Sequence, residues 1–178
     1  ISFGPPTLLF ELVINYEDGT CTTVHSDNNW KYDFSPVTFN CIYGGEDYDA
    51  SREQKGWNQI GFDDSHWRPV VVQEAPKGVL RPQMAAPVKI MERCDIQKVT
   101  KLNAEQIASA SISTKRTVDP SAFVLDMGQN LAGFPEITVR GKRGQKVTLI
   151  VAEALTDEGA CNQRQTGRQH YYEYKSRR

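Results

Sequence analysis

The sequence predicts an all-β protein built as two consecutive β-sandwich modules. Three observations carry that prediction: short apolar runs with a period of two, turn signals between them at regular spacing, and a proline-rich stretch dividing the chain. Leu8, Phe10, Leu12, Ile14 and Tyr16 alternate with a second set of side chains, so one face of a first strand is expected to turn inward. Asp18-Gly19 follows, a pair that favours a tight hairpin turn, and residues 20–25 return as the second strand. Asp27-Asn28-Asn29 is turn chemistry, because short polar side chains bond the nearby backbone. A further strand is expected over residues 37–43, broken by Gly44-Gly45. Residues 51–69 are polar and irregular, with Asp63 or Asp64 placed to cap one helical turn running toward Trp67.

Pro69, Pro76, Pro82 and Pro87 then remove amide donors and bias their predecessors to extended geometry, which reads as an ordered connector. The expected division is a first module at residues 1–75, a connector at 76–87 and a second module at 88–178. In the second module, residues 88–102 read as one long or two broken strands. Residues 107–118 alternate Ile and Ala with Ser and Thr, which favours a strand over a helix spanning 104–110. Residues 123–125 lead into a turn-rich loop at 126–130. Residues 134–139 and 147–151 flank Arg140-Gly141-Lys142-Arg143-Gly144 as an expected hairpin, and Tyr171, Tyr172 and Tyr174 fit a last strand.

Composition narrows the function classes. Of 178 residues, 21 are Lys or Arg and 22 are Asp or Glu, a formal net charge of −1, so the basic surplus of a nucleic-acid or membrane-surface partner is missing. No apolar run approaches the roughly 18 residues of a spanning helix. With 39% hydrophobic residues the chain should fold, burying about two thirds of its unfolded surface at this length. Cys21, Cys41, Cys94 and Cys161 are scattered, as are His25, His66 and His170, without the short spacings of a zinc shell. No metal and no cofactor are expected.

The densest acidic constellation is Glu46, Asp47, Asp49 and Glu53. On an extended segment Asp47 and Asp49 share a face at about 6.6 Å, two strand rises, at the lower edge of the roughly 6.5–9.5 Å of inverting glycosidase carboxylates. Their geometry argues against catalysis, since neighbours on one strand point the same way while acid and base must flank a sugar. The plainer role is to accept turn amides or pair with Arg52. Trp30 and Trp57 could stack on a sugar ring, although most tryptophans of β domains are packing residues; Trp67 fits the apolar anchor of a capped turn. Calcium at Asp27, Asn28 and Asn29 would need six to eight oxygens, more than this turn offers. No P-loop, nucleophile elbow or H-E-x-x-H pair is present. On the residues alone, no catalytic residue is assigned.

Several segments in order give the chain a family likeness. They are Ser26-Asp27-Asn28-Asn29-Trp30-Lys31, Ile42-Tyr43-Gly44-Gly45-Glu46-Asp47-Tyr48-Asp49-Ala50, Gly56-Trp57, Gly61-Phe62-Asp63-Asp64-Ser65-His66-Trp67 and Leu125-Asp126-Met127-Gly128-Gln129-Asn130-Leu131-Ala132-Gly133-Phe134. The last leads through Val139-Arg140-Gly141 to Ala152-Glu153-Ala154-Leu155. This set resembles the N-terminal accessory region of bacterial α-L-rhamnosidases. The resemblance implies a first module that is the latter, incomplete part of a galactose-binding-like jelly roll, and a second small sandwich leading to an α-helical barrel. It implies a parent enzyme that releases terminal α-L-rhamnose by inverting hydrolysis, with its carboxylates on the barrel, so that these residues alone should be inactive. The family pattern has Arg where Ser51 stands and Trp where Phe134 stands. The expected function is therefore a non-catalytic accessory region that supports the barrel and substrate entrance, its partners rhamnose-containing glycosides or polysaccharides through the parent enzyme. The alternative is an independent rhamnose-binding module, with Trp30, Trp57, Glu46 and Asp49 as substrate contacts. Uncovered sheet edges would also favour a homodimer.

Overall fold

The computed structural model describes residues 6–41, 44–74, 78–79, 81, 83–112, 120–164 and 171–177. Backbone contacts divide the chain into two compact units: residues 1–34 with 54–84, and residues 35–53 with 85–178. The division is not linear. Residues 35–53, expected with the first module, belong with the second half because their strands find hydrogen-bond partners there.

In the first unit, β1 (Glu11–Asn15) and β2 (Cys21–His25) form the antiparallel hairpin expected from Asp18-Gly19. Asp18 Oδ1 accepts from both the amide and the hydroxyl of Thr20, and Gly19 takes φ 81° at the tip. The expected inward face is only partly realised. Phe10 and Ile14 are half-buried, while Leu8, Leu12 and Tyr16 stay exposed. β3 (Lys31–Tyr32) pairs with β6 (Arg68–Pro69), which brings residues 54–67 round as a loop closed by that ladder. The expected helical turn before Trp67 is a single turn: Ser65 N donates to Asp63 Oδ1, Trp67 N donates to Asp64 O, and the chain then enters β6.

The second unit centres on a four-stranded sheet ordered β4, β5, β12, β9. β4 (Val37–Cys41) and β5 (Gly45–Asp49) are antiparallel neighbours, so Gly44-Gly45 turns the chain into a new strand. β12 (Tyr171–Lys175) pairs parallel with β5 on one side and antiparallel with β9 (Lys146–Ile150) on the other. The hairpin expected between residues 134–139 and β9 does not form. The turn at Gly144 is present, but the amides of β9 are taken by β12, and residues 134–139 carry no strand. Of residues 88–102 only β7 (Lys98–Lys101) is a strand, where β8 (Phe123–Asp126) pairs with it. β10 (Ala154–Leu155) and β11 (Cys161–Asn162) make a short further pair.

Helix α1 (Ala104–Ser109) replaces part of the strand expected over 107–118; residues 113–119 lie outside the described set. A capping box decides it. Asn103 Oδ1 accepts from Gln106 N while Gln106 Oε1 accepts from Asn103 N, satisfying two amides at the helix start. That local closure outweighs the β preference of Ile107. α1 lies against a small core of Leu102, Val124 and Ala160, with Ile107 and Ala110 packed on it.

That core is far smaller than chain length led one to expect. Among the described residues, the buried apolar side chains are Ala50, Leu102, Val124 and Ala160. On the β7–β8 pair Val124 is buried, while Val99, Leu125 and Phe123, which alternation places on the opposite face, are 59%, 44% and 55% exposed.

The tightest backbone approach is at Gly45, which starts β5 at φ 80°, where a β-carbon would stand 1.7 Å from Tyr171 O. Gly45→Ala therefore combines a left-handed backbone with a clash against a rigid carbonyl. It is expected to cost about 2 kcal/mol or more, read as a lower urea midpoint with an unchanged slope.

Candidate functional site

Two places bring the sequence-derived candidates together with other polar groups, one in each unit. In the second unit Glu46 and Asp49 both stand on β5, and alternation sends them to opposite faces. Glu46 Oε2 accepts from Asn40 Nδ2 at 3.1 Å. On its side of the sheet Tyr48 stacks on Tyr174 at 5.7 Å between centroids, and its hydroxyl donates to Glu53 Oε1 at 2.7 Å. Burial, then the Glu53 carboxylate, push the Tyr48 phenol up to about 12.

Asp49 shares the other face with Asp47, Glu173, Lys175 and Lys146, as the strand registers require. Lys175 Nζ lies 2.8 Å from Asp49 Oδ2, and Lys146 Nζ lies 2.9 Å from Glu173 Oε1. Asp49 also caps the turn Ala50–Arg52, its Oδ1 accepting from the amide and hydroxyl of Ser51. Hydrogen bonds from Lys175 and Ser51 hold the Asp49 carboxyl well below the usual range. Asp49 and Glu173 are on one face of one sheet and each is tied to a lysine. The arrangement holds strands together and provides no acid facing a base across a gap.

In the first unit the two tryptophans behave differently. Trp30 is half-buried with its ring 5.4 Å from Phe10, and its carbonyl accepts from Val70 N. Trp57 is 62% exposed. It sits in the loop 54–67, whose organiser is a residue the sequence did not single out. Gln54 Oε1 accepts from Trp67 Nε1 at 2.8 Å and lies 3.2 Å from His66 Nε2, while Gln54 Nε2 donates to Asp33. Phe62 meets the rings of Trp67 and His66 edge-on at 5.8 and 6.4 Å. Trp67 is thus the anchor of this loop. Lys31 fastens it from β3, with Nζ 2.8 Å from Asp64 Oδ1. Residues 54–56, 59–63 and 66 also line an open concavity of about 610 Å³. No sequence periodicity marks Gln54; its role follows from one amide that donates and accepts toward three side chains, Asp33, His66 and Trp67. Asp27, Asn28 and Asn29 form an Asx turn, Asn29 N donating to Asp27 Oδ1 at 2.8 Å.

Comparison with known proteins places this architecture. The family described as the alpha-L-rhamnosidase N-terminal domain matches residues 1–92, more than half of the chain, and the bacterial alpha-L-rhamnosidase concanavalin-like domain matches residues 116–177. The chain belongs to the bacterial α-L-rhamnosidase family. It is 35% identical over 153 residues to an alpha-L-rhamnosidase of Alteromonas sp. (strain LOR), covering 85% of this chain and 15% of that protein. It is 33% identical over 165 residues to one of Streptomyces avermitilis, covering 88% of this chain and 14% of that protein. Among solved structures, the α-L-rhamnosidase of Aspergillus terreus aligns with a TM-score of 0.76 at 28% identity, over 94% of this chain and 18% of that one. The Streptomyces avermitilis enzyme complexed with L-rhamnose aligns with a TM-score of 0.75 at 29% identity, over 95% of this chain and 15% of that one. The α-L-rhamnosidase-like chain therefore spans about 15% of the length of the curated relatives it matches.

The Asp49–Lys175 pair yields a pH signature. A carboxyl held low in the fold adds stability above its unfolded value of about 3.9, and that stability is lost as pH falls toward the folded value. Lys175→Met should lower the urea midpoint at neutral pH, and the gap to the parent should narrow between about pH 5 and about pH 2. A gap independent of pH would reassign the effect to packing.

Proposed function

We propose that this chain is a non-catalytic supporting region of an α-L-rhamnosidase, a layer of strands on which the hydrolytic part of the enzyme rests and which helps shape the substrate entrance. The observation that carries this reading is the excess of exposed apolar surface over core. Val99, Leu125 and Phe123 present one uncovered face of a strand pair whose other face is buried, which suits a sheet meant to be covered on both sides. Leu8, Leu9 and Leu12 give the β1–β2 hairpin the same character.

The carboxylates agree with it. Glycoside hydrolysis of the usual kind needs an acid and a second carboxylate flanking the scissile bond. Asp49 and Glu173 instead spend their charge on Lys175 and Lys146 within one sheet. The parent enzyme's activity, release of terminal α-L-rhamnose from glycosides or polysaccharides, then depends on carboxylates carried elsewhere in that enzyme.

The test is hydrolysis of an aryl α-L-rhamnoside by the purified 178-residue chain. No release above the buffer rate is expected. Turnover that disappears on Asp49→Asn or Glu173→Gln would overturn the supporting role.

A further inference from the structure

We propose that the turn at residues 142–145 and the chain entering it form a basic docking surface for a carboxylate-rich protein segment, with Arg140, Lys142 and Arg143 as its contacts. Cations gather here from two segments of the second unit. Gly144 N donates to Ser176 O and Ser176 N donates to Gln145 O. The strand end carrying Lys175 and Arg177 therefore runs beside the turn carrying Arg140, Lys142, Arg143 and Lys146. Neither stretch, residues 140–146 or residues 174–177, contains an Asp or Glu.

Ion pairing separates these cations into two sets. Lys175 is held by Asp49 at 2.8 Å and Lys146 by Glu173 at 2.9 Å, and Arg177 faces Glu53 at 3.7 Å. Arg140, Lys142 and Arg143 are exposed and enter no ion pair among the described residues. Their three charges fall within four residues of a chain whose formal net charge is −1. Closing the turn does not use them. Lys142 N donates to Gln145 Oε1, Gln145 N donates to Lys142 O, and Gly144 takes φ 77°. The bonds that shape the turn and tie it to Ser176 involve backbone and one neutral amide, so the three cations stand on a fixed backbone that docking need not order.

Their number and type select the partner. Nucleic-acid binding typically draws on roughly 6–10 phosphate contacts, and a stable hold on an anionic membrane needs a second, apolar anchor. Three cations on one turn supply neither. Carboxylates suit them, because two guanidiniums offer bidentate forks and Lys142 adds a point charge. Exposed pairs are individually weak, so the surface favours a segment that presents several carboxylates together, and it steers the approach of that segment. This contact goes beyond the supporting role, which draws on apolar faces. Its loss leaves that role intact, and hydrolysis by the chain would leave this contact intact.

The experiment is fluorescence anisotropy of a labelled eight-residue glutamate peptide titrated with the 178-residue chain at low ionic strength. Saturation in the millimolar range is expected, weakening about tenfold between roughly 20 and 200 mM salt as exposed charges are screened. Lys142→Glu combined with Arg143→Glu should weaken binding by about tenfold, with unchanged circular dichroism. Lys89→Glu, at an exposed cation elsewhere in the same unit, should change it by less than about twofold. Three results would each overturn the proposal: no saturation, a Lys89→Glu effect equal to that of the double variant, or tighter binding of an eight-nucleotide single strand or of phosphatidylserine vesicles than of the peptide.

Discussion

The second unit depends on one ladder, the parallel pairing of β5 with β12 across a separation of 126 residues. Register makes everything else there follow. Once Tyr174 stands beside Tyr48 the two rings stack on one face, and once Lys175 stands beside Asp49 the ion pair closes on the other. β4 and β9 then attach to the outer edges of that pair. Such long-range pairing meets its loop-closure entropy before any contact rewards it. The side-chain pairs on both faces offset that cost and pin the register, because a slip of one residue would send every side chain to the wrong face.

The second constraint is the shortage of interior. A stable domain balances buried apolar area against conformational entropy, and the four buried apolar side chains among the described residues are a meagre interior. What holds these units locally is polar: the capping box at Asn103, the Asp18 and Asp126 turns, and the Gln54 junction with Asp33 and Trp67. Polar closures of this kind define where chain segments go without supplying the free energy of a core. Exposed apolar faces and polar closures are the features on which the proposed supporting role rests.

The proposed supporting role draws on faces where apolar side chains meet solvent: Val99, Leu125 and Phe123 on the β7–β8 pair, and Leu8, Leu9 and Leu12 about the β1–β2 hairpin. The loop from Gln54 to Trp67 is of the other kind, its side chains oriented by partners within the first unit.

The hairpin at Asp18-Gly19, the strand at Tyr171–Lys175, the turn at Asp27 and the all-β character were legible in the sequence, because each is written in neighbouring residues: period-two alternation, turn pairs, short polar side chains. The family likeness was legible for the same reason, as ordered local motifs. Helix α1 was less legible, because the alternation of Ile107 with its neighbours points to a strand while the reciprocal bonds of Asn103 and Gln106 close a helix. Tertiary structure alone decided that residues 35–53 join the second half, that β9 takes β12 in place of residues 134–139, and that Gln54 organises its loop. Each of those depends on which group meets a given amide or carboxylate across 12 to 126 residues of chain, and a linear pattern carries no record of such a partner.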